Sequence, residues 1–303
     1  MDKLKSLFKI QQIYKEGGNI IQFLKSMDNT PTNRIEDIMI SYDFQAGSYI
    51  QHAMEHSAYT QSYTKHIAQV INNLGGAQSI LEAGVGEATT LANVLRQLHQ
   101  FPNYMYGFDL SWSRVKYGID YVAQLGLSGV QLMTSDLFSC PFPDNSIDIV
   151  YTSHSIEPNG GKEEEALVEL FRITNKYLIL LEPAYEFADE AGRNRMKKHG
   201  YATHLYETVL KLGYEIVEYR PFEVVSNPLN PTGLMIIKKS VPEQKNEPTL
   251  HCPITKTPLT LINGSYYSQD ALLAYPIIAG VPCLLPQNAI IATHFLAKMN
   301  GNK

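Results

Sequence analysis

Two glycines follow an apolar stretch in Ser79-Ile-Leu-Glu-Ala-Gly-Val-Gly-Glu87, and a helix-forming segment comes next. The apolar stretch predicts a strand, and Gly84 and Gly86 predict a tight turn at its carboxyl end. Glycine has no Cβ, so a ligand can approach the backbone closely at such a turn. The side chain of Glu82, the small residue Ala83 and the two glycines are therefore the first candidates for contact with a ligand.

Two further acids follow the next two predicted strands. Asp109 ends Tyr104-Met-Tyr-Gly-Phe-Asp109, about one βα unit beyond the glycine turn, and Asp136 follows Val130-Gln-Leu-Met-Thr134 after a similar interval. An acid at the position of Asp109 can accept hydrogen bonds from both hydroxyls of a ribose. The spacing therefore indicates a nucleotide-like ligand that crosses the ends of three strands.

Polar residues also follow the fourth and fifth predicted strands. The fourth leads into Thr152-Ser153-His154-Ser155-Ile156-Glu157, and the fifth ends at Glu182-Pro-Ala-Tyr185. His154 is the candidate general base, because an imidazole can take a proton from a hydroxyl or amine near neutral pH. The alternative is that His154 only lines a pocket, beside Ser153. Glu157, Glu182 and Tyr185 are the candidate acceptor-binding residues.

A basic cluster lies beyond the fifth predicted strand, in Arg193, Arg195, Lys197, Lys198 and His199. Two interpretations are open. The cluster meets a phosphate or carboxylate of a substrate, or it forms a solvated helix face, which is the commoner use of such charges.

Apolar runs of strand length alternate with helical stretches from Ser79 to about Lys238. This alternation predicts an α/β fold with a mainly parallel, doubly wound sheet of the Rossmann-like kind. No helical pattern separates the last two strands, Tyr214 to Tyr219 and Leu234 to Lys238, which predicts an antiparallel final strand. A helical arm over residues 1–40 precedes this domain, which spans residues 41–240.

In these motifs the chain resembles the class I S-adenosylmethionine-dependent methyltransferases, over roughly Tyr42 to Lys239. The resemblance implies that the turn at Glu82, Ala83, Gly84 and Gly86 faces the methionine part of the cofactor. It also implies that Asp109, with Leu110, binds the ribose and that Asp136 with Leu137 contacts the adenine. The cofactor implied is S-adenosylmethionine.

The resemblance also gives a role to Tyr42-Asp-Phe-Gln-Ala-Gly-Ser-Tyr49, upstream of the first strand. In the related enzymes this segment folds over the cofactor, which makes Tyr42, Gln45 and Tyr49 candidates for a lid. Aromatic packing of an N-terminal helix onto the sheet is the alternative.

Two alternatives to a methyltransferase follow from the glycine turn. A dinucleotide site would require a third glycine in Gly-x-Gly-x-x-Gly, where this chain has Thr89. A methyltransferase-like binding module without activity is the other alternative, and the presence of Asp109 and Asp136 argues against it.

A polar linker with two prolines, Ser240 to Pro248, precedes a small α+β domain over residues 249–303. His251-Cys-Pro-Ile-Thr-Lys-Thr-Pro-Leu259 and Tyr275-Pro-Ile-Ile-Ala-Gly-Val-Pro282 resemble the zinc-ribbon-like activator of tRNA and translation-factor methyltransferases. Thr255 occupies the place of the second zinc cysteine, and no second Cys-x-x-Cys pair follows, so we expect no metal. The roles open to this domain are stabilisation, a pocket wall, a dimerisation surface in a homodimer, or recruitment of a macromolecular acceptor.

The amino-acid composition disfavours several classes of binding partner and of cellular location. A formal net charge of −5 disfavours binding to long nucleic acids. The three widely spaced cysteines, Cys140, Cys252 and Cys283, suit a reducing compartment, and no apolar run has the length needed to insert in a membrane. We therefore expect a cytoplasmic enzyme that methylates oxygen or nitrogen of a small-molecule or saccharide-like acceptor, with a protein or tRNA acceptor as the alternative.

Overall fold

The computed structural model describes residues 3–28, 33–240 and 244–299. Seven strands form the main sheet, namely β1 (Ser79–Ala83), β2 (Tyr104–Asp109), β3 (Val130–Thr134), β4 (Ile147–Ser153), β5 (Thr174–Pro183), β6 (Glu215–Pro221) and β7 (Thr232–Lys238). Their order in the sheet is β3-β2-β1-β4-β5-β7-β6. Strands β1 to β5 pair in parallel, and β7 is antiparallel to both of its neighbours. The predicted α/β fold with an antiparallel final strand is confirmed.

The helices before the sheet are α1 (Leu7–Lys15), α2 (Ile20–Asp28), α3 (Ile35–Phe44), α4 (Ser48–Glu55) and α5 (Ser57–Asn73). Those between its strands are α6 (Thr89–Leu95), α7 (Trp112–Gln124), α8 (Glu163–Ile173), α9 (Glu190–His199) and α10 (Leu205–Lys211). Gly200 has a φ of +70° and ends α9, and the next helix begins at Leu205.

Buried apolar side chains cover both faces of the sheet. Successive side chains of a strand point to opposite faces, so neighbours such as Ile80 and Leu81, or Ile179 and Leu180, belong to different layers. One layer packs against α5, α6 and α7, and the other against α8, α10 and the C-terminal segment. This double covering is why the strands read as continuous apolar runs in the sequence.

The C-terminal segment forms a second, small sheet from β8 (Thr260–Ile262), β9 (Ser265–Ser268), β10 (Leu273–Ile278), β11 (Val281–Pro282) and β12 (Ile290–Ile291), followed by α11 (Phe295–Met299). It packs along β3, the edge strand of the main sheet. The Leu284 amide donates to the Thr134 carbonyl at 2.9 Å, and Thr134 and Cys283 form a parallel bridge. The Tyr106 hydroxyl donates to the Pro248 carbonyl at 2.6 Å.

Two absences hold for the residues that the structure describes. None of their helices combines the length and the apolar character needed to cross a membrane. No group of three or more His, Cys, Asp or Glu side chains among them is arranged to hold a metal ion. Cys140, Cys252 and Cys283 are buried free thiols.

Candidate functional site

A pocket opens at the carboxyl ends of β1 to β4, where a parallel sheet places its ligand crevice. It encloses about 870 Å³ of empty space, its open mouth included. Most of the predicted cofactor-binding residues line it, namely Tyr42, Tyr49, Glu82, Gly84, Gly86, Asp109, Leu110, Asp136, Leu137 and Ser153. His154 lines it as well. Ala83 does not, and its carbonyl instead accepts a hydrogen bond from the Ser155 hydroxyl at 2.7 Å.

The glycine turn is held by the second strand. The amides of Gly84 and Val85 both donate to the Phe108 carbonyl, at 2.9 and 2.8 Å, and Gly84 has a φ of +78°. A Cβ added to Gly84 would lie 2.1 Å from the Cβ of Ser155. The first glycine is therefore required by the packing of the turn against the loop after β4, in addition to any contact with a ligand.

Asp109 is fixed by two backbone amides. Its Oδ2 accepts from Gly86 at 3.0 Å and its Oδ1 from Ser111 at 2.9 Å, and the residue is 8% exposed. Each carboxylate oxygen has two lone pairs, so the group retains capacity to accept further hydrogen bonds from the pocket. This is the geometry required to bind neighbouring hydroxyl groups.

Asp136 lines the pocket after β3. Its Oδ1 accepts from the Phe138 amide at 2.9 Å. Burial raises the pKa of Asp136, and the backbone amides of Phe138 and Ser139, which favour the charged form, offset only part of that effect.

Glu82 is buried at the base of the glycine turn, at 2% exposure. Its Oε2 accepts from the Tyr151 hydroxyl at 2.8 Å. Burial raises the pKa of Glu82 to about 8, although the hydrogen bond from Tyr151 favours the charged form. A cation bound beside this carboxyl group would favour its ionised form.

Two further pocket residues, Glu87 and Arg114, were not found from the sequence. The Glu87 carboxylate accepts from the amides of Gly47, Tyr49 and Ile50, at 2.9, 3.4 and 2.7 Å, and so ties the start of α4 to the glycine turn. The Arg114 guanidinium lies over the rings of Tyr42 and Tyr49, 4.9 and 4.1 Å from their centroids. The Arg114 guanidinium therefore contacts both of the tyrosines that the sequence predicted to form a lid.

Sequence signals for these two residues exist. Glu87 directly follows Gly86, and Arg114 lies in the first turn of the helix after Asp109. The Nε atom of Arg114 is buried and makes no hydrogen bond in the protein, although it lies at ion-pair distance, 4.0 Å, from Glu87 Oε1. A buried donor without a hydrogen bond costs about 1–3 kcal/mol, so this atom could also donate to an anionic group of a ligand.

His154 has both ring nitrogens occupied. Nδ1 lies 2.8 Å from Glu157 Oε2, and Nε2 lies 2.9 Å from Thr232 Oγ1. Burial alone would lower the pKa of His154, but the hydrogen bond and charge of Glu157, together with the charge of Glu182, leave it raised. A histidine that holds its proton and has no free nitrogen is poorly suited to act as a general base.

Neither acid among the predicted acceptor-binding residues lines the pocket. Glu182 is 3% exposed and accepts hydrogen bonds from the amides of Ser155, Ile156 and Glu157 at 3.0 to 3.2 Å. These hydrogen bonds hold the loop after β4 in place. Glu157 is engaged by His154 and by Asn230 Nδ2, the latter at 3.1 Å. The hydrogen bonds within the protein engage both acids, and a role for either in binding the acceptor remains a prediction.

Tyr185 also lies outside the pocket. Its ring packs under two members of the predicted basic cluster, with Arg193 at 5.2 Å and Lys197 at 5.4 Å from the centroid. In the structure Tyr185 packs against side chains of α9, and its role in binding the acceptor remains a prediction.

Residues 80–176 match the family model described as "Methyltransferase domain". No curated protein sequence matches the chain. Among solved structures, the magnesium protoporphyrin IX methyltransferase from Synechocystis PCC 6803 with bound SAH is 16% identical, with 60% of this chain and 84% of that chain covered and a TM-score of 0.48. A SAM dependent methyltransferase from Aquifex aeolicus is 18% identical, with 56% and 88% covered and a TM-score of 0.43.

Proposed function

We propose that this chain is a class I S-adenosylmethionine-dependent methyltransferase and that it methylates an oxygen or nitrogen atom of a small-molecule or saccharide-like acceptor. The match of residues 80–176 to a methyltransferase-domain model supports the first part of this proposal. The observation that carries the proposal is the convergence of Glu82, Asp109 and Asp136 on one pocket, each at the end of a different parallel strand. Three acids suit a ligand with positive charges and hydroxyl donors along its length.

The groups of the cofactor match the polar groups of the pocket. Asp109 would accept hydrogen bonds from the ribose hydroxyls, and Asp136 with Leu137 would contact the adenine. Glu82 would face the positively charged methionine end. Arg114, the only lysine or arginine among the described residues that line the pocket, would donate a hydrogen bond to the carboxylate from its Nε, which makes none within the protein.

When bound, S-adenosylmethionine supplies the methyl group on a sulfonium, which needs no further activation by the protein. The chain's own part is to orient the acceptor and to exclude water. Tyr42 and Tyr49, held by Arg114, would cover the pocket. His154 would position the loop after β4 through its bonds to Glu157 and Thr232, and we assign it no proton transfer.

Calorimetric titration with S-adenosylhomocysteine tests the cofactor site, with Asp109→Asn as the variant. The loss of charge-assisted hydrogen bonds worth about 1.5–3 kcal/mol weakens binding by roughly 10- to 100-fold. Asp120→Asn is the matched control, because Asp120 lies on α7 and pairs with Lys116 at 2.8 Å on the surface. A folded wild-type protein that binds no S-adenosylhomocysteine, or an Asp109→Asn variant that binds as tightly as wild type, would contradict the proposal.

Labelled methyl transfer tests the class of acceptor. Wild-type protein is incubated with methyl-labelled S-adenosylmethionine and a cell extract, and the products are separated by size. We expect label in the low-molecular-weight fraction. Label confined to protein or to tRNA would refute the small-molecule acceptor and would leave the cofactor site standing.

A further inference from the structure

A second cleft lies beside the cofactor pocket, and the two share Tyr42 and Pro158 as a common wall. Its sides come from α2, α3 and the segment that follows α9. It encloses about 1150 Å³ of empty space, open solvent included. A molecule in this cleft therefore lies next to the cofactor pocket, separated from it by one tyrosine and one proline.

The charges at this cleft are positive. Lys25, Lys198 and His199 line it, and no aspartate or glutamate is found among its described lining residues. Burial and the charges of Arg195, Lys198 and Lys25 lower the pKa of His199, and the charge of Glu157 opposes them. The positive charges of Arg195, Lys198 and Lys25 therefore all act at His199, as they would on an anion bound beside it.

The residues of the predicted basic cluster have two different sets of contacts in the structure. Arg193 and Lys197 turn towards the ring of Tyr185, and the Arg193 guanidinium donates to the carbonyls of Tyr185 and Glu186. Lys198 and His199 face the cleft instead. The two halves of the cluster have different surroundings, although they are consecutive in the chain.

Two polar atoms beside the cleft have no partner in the protein. Nη1 of Arg195 is buried and unpaired, and its guanidinium lies 5.4 Å from the centroid of the Tyr201 ring, which lines the cleft. Oδ1 of Asn33 is also buried and unpaired, while its Nδ2 donates to the Pro158 and His199 carbonyls at 2.9 and 3.3 Å. Buried donors and acceptors are normally satisfied, so these atoms indicate a ligand or water at the cleft.

The helix dipole of α9 alone does not explain why basic residues gather at the cleft. Cations in the last turn of α9 would be favoured by the helix dipole whatever they faced. Lys25, however, belongs to α2 and lines the same cleft. The helix dipole also does not provide a hydrogen-bond acceptor for Nη1 of Arg195.

We propose that this basic cleft, lined by Lys25, Lys198 and His199 and with Arg195 beside it, binds an anionic group, phosphate or carboxylate, of the methyl acceptor. The acceptor then reaches the cofactor pocket past Tyr42 and Pro158. This inference rests on the proposed function, because it gives the acceptor of that reaction its charge. It makes a neutral sugar or a cationic amine a poor acceptor.

The test measures the binding of small anions to the full-length protein saturated with S-adenosylhomocysteine. Inorganic phosphate and acetate are titrated separately, by calorimetry and by the change in NMR signals of the anion. We expect at least one anion to bind, and the variant Lys25→Gln/Lys198→Gln to bind it about tenfold more weakly. Phosphate binding without acetate binding identifies the group as a phosphate, and the reverse identifies a carboxylate.

Lys197→Gln is the matched control, because it removes the same charge one residue away on the half of the cluster that faces Tyr185. We expect it to bind the anion within twofold of wild type. Wild-type protein that binds neither anion, a double variant that binds as wild type does, or a control as impaired as the double variant would each overturn the proposal. Titration of S-adenosylhomocysteine alone is scored separately, so failure of the cofactor site is distinguished from failure of the anion site.

Discussion

Replacement of Glu82 by glutamine is expected to change how the stability of the protein depends on pH. The folded protein raises the pKa of Glu82 from 4.5 to about 8, chiefly by burial. The ionised side chain therefore opposes folding, and the wild-type protein loses stability as the pH rises from about 4.5 through 8. Each unit of pKa difference corresponds to about 1.4 kcal/mol, so the loss amounts to about 5 kcal/mol once the pH is well above 8.

Glutamine keeps an oxygen that can accept from the Tyr151 hydroxyl but cannot ionise. The free energy of unfolding, measured by urea denaturation without cofactor, is compared at pH 5.5 and pH 9. We expect the variant to gain several kcal/mol relative to wild type between these values. Glu165→Gln, on the exposed side of α8, is the control and should show a difference from wild type that does not change with pH. A difference between Glu82→Gln and wild type that is equal at both pH values would refute the reasoning.

The Glu82 carboxyl group should also couple cofactor binding to the release of a proton. A cationic ligand beside Glu82 favours the ionised carboxylate, so binding at pH 6.5 should release a proton in the wild-type protein. Calorimetry in two buffers of different ionisation enthalpy measures this release. Titration of the ligand's own amino group is common to both proteins, so the signal assigned to Glu82 is the difference between wild type and Glu82→Gln.

Three further predictions concern other contacts. Glu87→Gln removes the charge that holds three amides at the start of α4, and hydrogen exchange at residues 47–50 should become at least tenfold faster, with no change in α8. Tyr106→Phe leaves the Pro248 carbonyl without its donor and should lower the free energy of unfolding by about 1–3 kcal/mol in urea denaturation. The pKa of Asp148 is lowered to about 2, because hydrogen bonds from Lys245, Gln78 and Asn175, with the charge of Lys176, outweigh burial. Its contribution to stability is complete above pH 4 and is lost as the pH falls to 2, so the deficit of Asp148→Asn relative to wild type should shrink over that interval.

The strand ends could be predicted from the sequence, because apolar runs bounded by turn residues mark buried parallel strands. Asp109 and Asp136 follow such runs, and the structure places both at the pocket. The side-chain direction at a strand end could not be predicted in the same way. Glu182 lies at the end of a strand as Asp109 does, but its carboxylate accepts hydrogen bonds from three amides of the loop after β4.

The contacts of Glu87 and Arg114 depend on packing between distant parts of the chain. Glu87 meets amides about forty positions earlier, and Arg114 meets two tyrosines from α3 and α4. Helical periodicity describes each segment alone and gives no information about such pairings. The division of the basic cluster has the same origin, since only the fold decides that Lys198 faces α2 and Lys197 faces Tyr185.

The bridge between Thr134 and Cys283 has a consequence for the order in which the protein is made. The edge of β3 gains this backbone partner only after the ribosome has added the segment that contains Cys283. At about 5–20 residues per second, synthesis of the chain from β3 to that segment takes roughly 7 to 30 seconds. An unpaired strand edge is a template for pairing with other chains, so this segment also protects the finished sheet at β3.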